Sequence, residues 1–132
     1  MEQKKGLSFL RFSVAIYALI ALVYGVCYLF IPEKLVELSG GDPVPAGWLR
    51  WAGSTLIALS IGSIMVIINP LKQRIFIRTI AMGSLFVGLT LVYQWLFETV
   101  GEVWFTAGPA ILLIIVAILL MVSCRGAQEL LK

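Results

Sequence analysis

The stretch WLRWAGSTLIALSIGSIMVIIN, residues 48–69, carries one charged side chain, Arg50, in 22 residues. Wound as a helix, it covers about 30 Å, the thickness of the hydrocarbon layer of a bilayer. Three other stretches have the same character, at about residues 9–31, 76–97 and 104–123, and none has an acid near its centre. A helix satisfies every backbone group internally, as lipid demands. The alternation expected of barrel strands is absent. Composition agrees: 61% of the 132 residues are hydrophobic and 13% are charged, against about 25% charged in a soluble domain. A soluble domain this small has too little interior to hide that much apolar surface.

The links are short and rich in breakers. The first holds Pro32, Gly40, Gly41, Pro43, Pro45 and Gly47; the second opens at Pro70; the third, ETVGE, centres on Gly101. Short links make successive helices neighbours of opposite direction. The expectation is an all-α fold, an integral membrane four-helix bundle running up-down-up-down, in a single domain over residues 1–132.

Charge sets the orientation. Eight of the ten basic residues fall on one side: Lys4, Lys5, Arg11, Lys72, Arg74, Arg78, Arg125 and Lys132. Glu33, Glu37, Asp42, Glu98 and Glu102 fall on the other, with Lys34 and Arg50. Basic residues stay in the cytoplasm, so both termini are expected there. The net charge of +3 sits in short loops without a basic helix face, which argues for topology and against nucleic acid. The first run has the basic start of a signal peptide. It is too long for one and no small-x-small cleavage site follows it, so it reads as an uncleaved span.

Residues 32–40, PEKLVELSG, open with proline and close with glycine, as a short helix does. Leu35 and Leu38 share a side, flanked by Glu33, Lys34 and Glu37. The pattern reads as an amphipathic segment on the outer surface, or as an extension of the first span. Cys27 lies near the outer end of the first span and Cys124 at the inner end of the fourth, far beyond the ~7 Å limit for bridged Cα atoms. They read as small apolar fillers.

Small residues mark close helix approach in lipid. Ser54, Ala58 and Gly62 recur at four-residue steps in the second span. Ser84 and Gly88 do so in the third, and Ala21 and Gly25 in the first. They predict tight packing, within the bundle or between protomers. Ser13, Tyr17, Ala21, Tyr24 and Tyr28 share one face of the first span. Tyr17 lies nearest the middle of the membrane and its hydroxyl needs a partner. An interhelical hydrogen bond and a pocket lined by this stripe are the two readings.

Arg50 is the sharpest single residue. At the bilayer centre an arginine costs ~2.5–3.5 kcal/mol on the milder scale. Near a helix end it snorkels outward at far lower cost. Gly53, Ser54 and Ile57 lie beneath it on the same face, which turns it toward a neighbouring helix. Glu98, Glu33 and Glu102 share its depth, with Glu98 the first choice as partner. Gln94 lies one turn below Glu98, and Tyr24 and Tyr28 approach from the first span. Arg50, Glu98, Gln94, Tyr24, Tyr28 and Glu33 form the candidate outer polar cluster. It reads either as a structural ion pair or headgroup contact, or as a cavity for an anionic or quinone-like molecule, since guanidinium offers forked donors.

Other chemistries lack their parts. The sequence has no histidine, so the commonest base and metal ligand is missing. The cysteines are not paired as redox or zinc motifs require. Haem lacks histidine or a suitable methionine pair. No catalytic residue, metal ligand or cofactor is assigned, and enzyme activity is not expected.

YLFIPEKLVELSGG (28–41) followed by GWLRWAGSTLIALSIGSIMVI (47–67) resembles the small four-helix bacterial membrane proteins of the DoxX-like group and related uncharacterised families. The matching residues are Pro32 and Glu33 at the end of the first span, and Arg50 and Gly53 in an Arg-x-x-Gly start to the second. The resemblance covers most of the chain through loose motifs. It implies a four-helix membrane fold in a bacterial inner (plasma) membrane. Some members of that group are described as accessory membrane subunits of quinone-linked oxidoreductases.

Three functional expectations follow. The first is a non-enzymatic accessory or scaffold subunit that meets a membrane-protein partner, or further copies of itself, within the bilayer. The second is a binder or carrier of a small molecule, lipid or quinone at the Arg50 cavity. The third is a quinone-associated redox helper.

Overall fold

The computed structural model describes residues 2–42, 45–98 and 102–127. Pro43 in the first link, Gly101 in the third, and Glu129 and Lys132 of the tail lie outside the described residues. The described chain is all-helical: α1 Glu2–Phe30, α2 Pro32–Leu38, α3 Ala46–Ile68, a 3-10 turn Pro70–Lys72, α4 Arg74–Phe97 and α5 Val103–Gly126. Four of these helices, α1, α3, α4 and α5, are long and apolar enough to cross a membrane.

Proline sets several boundaries. Ile31 leaves the helical region at φ −131°, ψ 41°, as a residue before proline tends to. The chain then restarts as α2 with Pro32 at its start and Glu33 in its first turn, where the helix dipole favours an acid. Residues 32–38 are thus a separate short helix, not a continuation of α1. Gly40 ends it at φ +65°, a left-handed conformation glycine adopts without strain. Asn69, before Pro70, closes α3 at φ −139°. Pro109 lies inside α5 and leaves the Phe105 carbonyl without its usual i+4 donor, a loss that spanning helices tolerate.

The long helices associate as two pairs. α1 packs closely along α3, and α4 along α5. α1 also meets α5, while α3 touches α4 only slightly. Short links therefore do not make every successive pair close neighbours. In the α1–α3 seam a Cβ on Gly53 would stand 2.7 Å from the Gly25 carbonyl oxygen and 2.8 Å from the Leu29 nitrogen. Backbone lies against backbone there. Further along, the Ser60 hydroxyl donates to the Ala18 carbonyl at 2.9 Å, fully buried. In the α4–α5 seam Gly88 faces Ile114 and Ala110. Phe76 lies over Gly62 where α3 and α4 approach.

One core joins all four helices. Leu10, Val14, Tyr17 and Ala21 come from α1, Val66 from α3, Ile77, Ile80 and Ala81 from α4, and Val116 and Leu120 from α5. The α1 residues recur every three or four positions and form one stripe. This core occupies the end of the molecule where Gly6 crosses Gly126, whose carbonyl oxygen would be 2.7 Å from a Cβ on Gly6. Away from that end, Gly25 and Gly53 belong to one seam and Gly88 and Ala110 to the other. Elsewhere the surface is apolar: Phe12, Leu19, Ile68, Ile75, Phe86 and Leu96 are each at least 60% exposed, which is the face lipid would cover.

Candidate functional site

Three elements build the site at the opposite end from the shared core. α1 ends there, α2 folds back from it, and α3 begins beside both. The close approach of Gly25 and Gly53 draws the start of α3 against the end of α1, with the Tyr28 Cβ also at Gly53. This brings Arg50, one turn before Gly53, level with the first turn of α2. An Arg50 Nη2 donates to Glu33 Oε1 at 3.2 Å. Both side chains keep more than half of their surface exposed.

The carboxylate paired with Arg50 is thus Glu33, not Glu98. Glu98 follows α4 as its exposed C-cap, and α4 packs on α5 with only slight contact to α3. Gln94 shares that helix and is half-buried. Among the described residues neither side chain bonds to Arg50. Glu102 meets the same region through its backbone: its N–H donates to the Ser39 carbonyl at 2.6 Å, just beyond α2. Tyr24 and Tyr28 touch edge to face, centroids 5.9 Å apart, on α1. Of the six predicted cluster residues, Arg50 and Glu33 pair, the two tyrosines meet edge to face on α1, and Gln94 and Glu98 stand on the other helix pair.

A cavity of about 450 Å³ opens beside the ion pair, lined by Pro32, Glu33, Val36, Glu37, Ala46 and Leu49, with Gly40 and Gly41 at its edge. Arg50 is not in its wall. Its charged side chains are carboxylates, which suit a cation better than an anion. Glu33 belongs to both the cavity and the ion pair.

All four tryptophans, Trp48, Trp51, Trp95 and Trp104, cluster toward this end of their helices and are exposed. Trp48 and Trp51 meet edge to face at 6.2 Å. Exposed indoles at one depth match an interfacial belt.

The small-residue predictions divide. Gly25 and Ala21 lie in the α1–α3 seam and are buried, Ser84 and Gly88 are buried on α4, and Gly62 lies under Phe76. Ser54 and Ala58 are exposed. The buried face of α3 instead runs through Gly53, Ser60, Ser63 and Val66. Ser54 turns its hydroxyl back to the Arg50 carbonyl at 3.0 Å. Tyr17 is buried in the core, and no hydrogen bond of its hydroxyl is found among the described residues. Ser60 makes the cross-helix bond expected of Tyr17. Gly6 at the α1–α5 crossing had no counterpart in the sequence reading. Its only signal was a small residue less than one turn before the first apolar run.

Cys27 and Cys124 are free thiols, both half-buried. Among the described residues no group of three or more His, Cys, Asp and Glu side chains comes together in a form that holds a metal. Comparison of the chain with protein-family models, with curated proteins and with solved structures finds no match.

Proposed function

We propose that this is a non-enzymatic, multi-pass protein of the bacterial inner membrane, acting as an accessory or scaffold subunit. In this reading the helices run up-down-up-down with both termini in the cytoplasm. The observation that carries it is the Arg50–Glu33 ion pair at 3.2 Å. It gives the one arginine outside the positive-inside pattern a structural partner, so no bound anion is needed to explain it. Further support comes from the lipid-type surface on all four long helices and from links too short to form a soluble domain. The resemblance to DoxX-like proteins, through Pro32, Glu33, Arg50 and Gly53, fits the same role.

Partners of such a subunit meet it inside the bilayer, and the exposed face carrying Ser54 and Ala58 permits close helix approach. A second copy or a membrane-protein partner fits there. Native mass spectrometry of the gently extracted protein tests this. A stoichiometric assembly that Ala58→Leu disperses is the expected result. A lone chain in both proteins would sink the reading. A reporter in the Lys72–Arg74 link that reads as external would refute the orientation.

The cavity beside Glu33 favours a second reading, a binder of a small molecule, lipid or quinone. A ligand that engages Glu33 would compete with Arg50 for it, so Arg50→Ala would change its affinity. Unchanged binding in that variant would remove Arg50 from the reading.

A further inference from the structure

At the Gly6–Gly126 end, α4 and α5 line a half-open cavity of about 330 Å³ whose wall includes Arg74, Arg78, Arg125, Met82, Met121 and Cys124. Arg74 and Arg78 are one turn apart at the start of α4, and Arg125 is in the last turn of α5. The guanidinium groups of Arg78 and Arg125 therefore reach one opening from two helices, with Arg74 one turn nearer the start of α4. One turn deeper the wall becomes thioether: Met82 is 57% exposed and Met121 39%. The carboxylates whose side chains are described, Glu33, Glu37, Asp42, Glu98 and Glu102, all belong to the other end of the molecule. Arg78 and Arg125 are both exposed.

This is a two-part surface. Guanidinium offers forked donors that match phosphate oxygens. Methionine offers an adaptable apolar wall for a hydrocarbon chain. A free phosphate would use only the first part. An anionic phospholipid uses both, with its phosphate at the arginines and its upper acyl chain along Met82 and Met121. We infer that the α4–α5 cavity is a binding site for the phosphate headgroup of an anionic phospholipid, held by Arg78 and Arg125 with Arg74 at the rim. Basic pockets between spanning helices are suited to such headgroups. The site rests on the membrane-spanning fold but on neither the scaffold role nor the choice of leaflet.

The test uses the full chain in mild detergent, titrated in native mass spectrometry with dioleoyl phosphatidylglycerol and, separately, dioleoyl phosphatidylcholine. The wild-type chain is expected to retain one phosphatidylglycerol in preference to phosphatidylcholine. Arg78→Gln and Arg125→Gln should each lower that preference about fivefold, the effect of one basic residue at an anionic surface. Lys5→Gln removes a charge from the same end outside the cavity wall, and Lys34→Gln removes one from the other end; both should leave the preference intact. An equal loss in Lys5→Gln would overturn the site in favour of diffuse surface attraction. So would an unchanged preference in both arginine variants. Displacement of the lipid by millimolar inorganic phosphate would assign the arginines to free phosphate and overturn the lipid reading. Each preference is a ratio within one sample, so partial misfolding does not mimic the expected result. Absence of any phosphatidylglycerol preference in a wild-type chain that still assembles with its partner would count against this site alone.

Discussion

The two ends of the molecule are held by different physics. At the Gly6–Gly126 end, side chains from four helices interlock in one core, and Leu10, Val14 and Leu120 have no exposed surface. At the Arg50 end the same helices sort into two pairs; an exposed ion pair ties α2 to α3, and a backbone hydrogen bond from Glu102 to Ser39, just beyond α2, crosses to the other pair. Lipid is as apolar as leucine, so burying leucine drives helices together far less than it does in water. What remains is close packing and directed polar contacts. At one end close packing joins all four helices; at the Arg50 end it acts within each pair, and polar contacts fasten α2 beside them. Charge is divided as well: the polar end pairs Arg50 with Glu33, and the packed end brings Arg78 and Arg125 to the wall of one cavity.

Substitutions test that contrast. The largest effect is expected at the shared core, where Leu10→Ala opens a void among residues from all four helices. A loss of about 2–5 kcal/mol is expected, read from unfolding in mixed detergent by tryptophan fluorescence. A smaller loss than for any change at the Arg50 end would break the contrast. Gly53→Val comes next. Its added carbons meet the Gly25 oxygen and the Leu29 nitrogen, which are backbone and cannot rotate away, so about 1–3 kcal/mol is expected. The same measurement should show α4–α5 contacts unaffected, for example in crosslinking between Gly88 and Ile114 positions converted to cysteine. Glu33→Gln should do least. An ion pair this exposed contributes about 0.5 kcal/mol, and the difference from wild type should shrink as salt is raised. A loss above that of Gly53→Val would mean that α2, not the glycine seam, holds the Arg50 end.

The four spans were legible because lipid imposes a length and a composition that any apolar run reveals. Their ends were less so. α1 begins at Glu2, seven residues before its apolar run, because apolarity marks the bilayer crossing and a helix continues beyond it. Which helix faces which was not legible. A span apolar all round offers no amphipathic face to read, and one residue is about 100° of helix rotation. That is the difference between the predicted Ser54–Ala58 stripe and the observed Gly53–Ser60 seam. The choice of Glu98 over Glu33 failed for a related reason. Both share a depth with Arg50, and only the pairing of α1 with α3 selects between them. The arginines of the second link and the tail were legible as topology signals. Their meeting around one cavity depends on α4 packing against α5, which their spacing in sequence does not encode.

The hydrogen bond from the Glu102 amide to the Ser39 carbonyl gives the molecule a local gauge. Its donor caps the start of α5, in the α4–α5 pair, and its acceptor follows α2, which is fastened to the α1–α3 pair. When the pairs part at that end, this amide is freed to exchange its hydrogen with solvent, while amides beside Leu10 and Leu120 wait for the shared core to open. The ratio of the two exchange rates would measure how often the Arg50 end opens while the other stays shut.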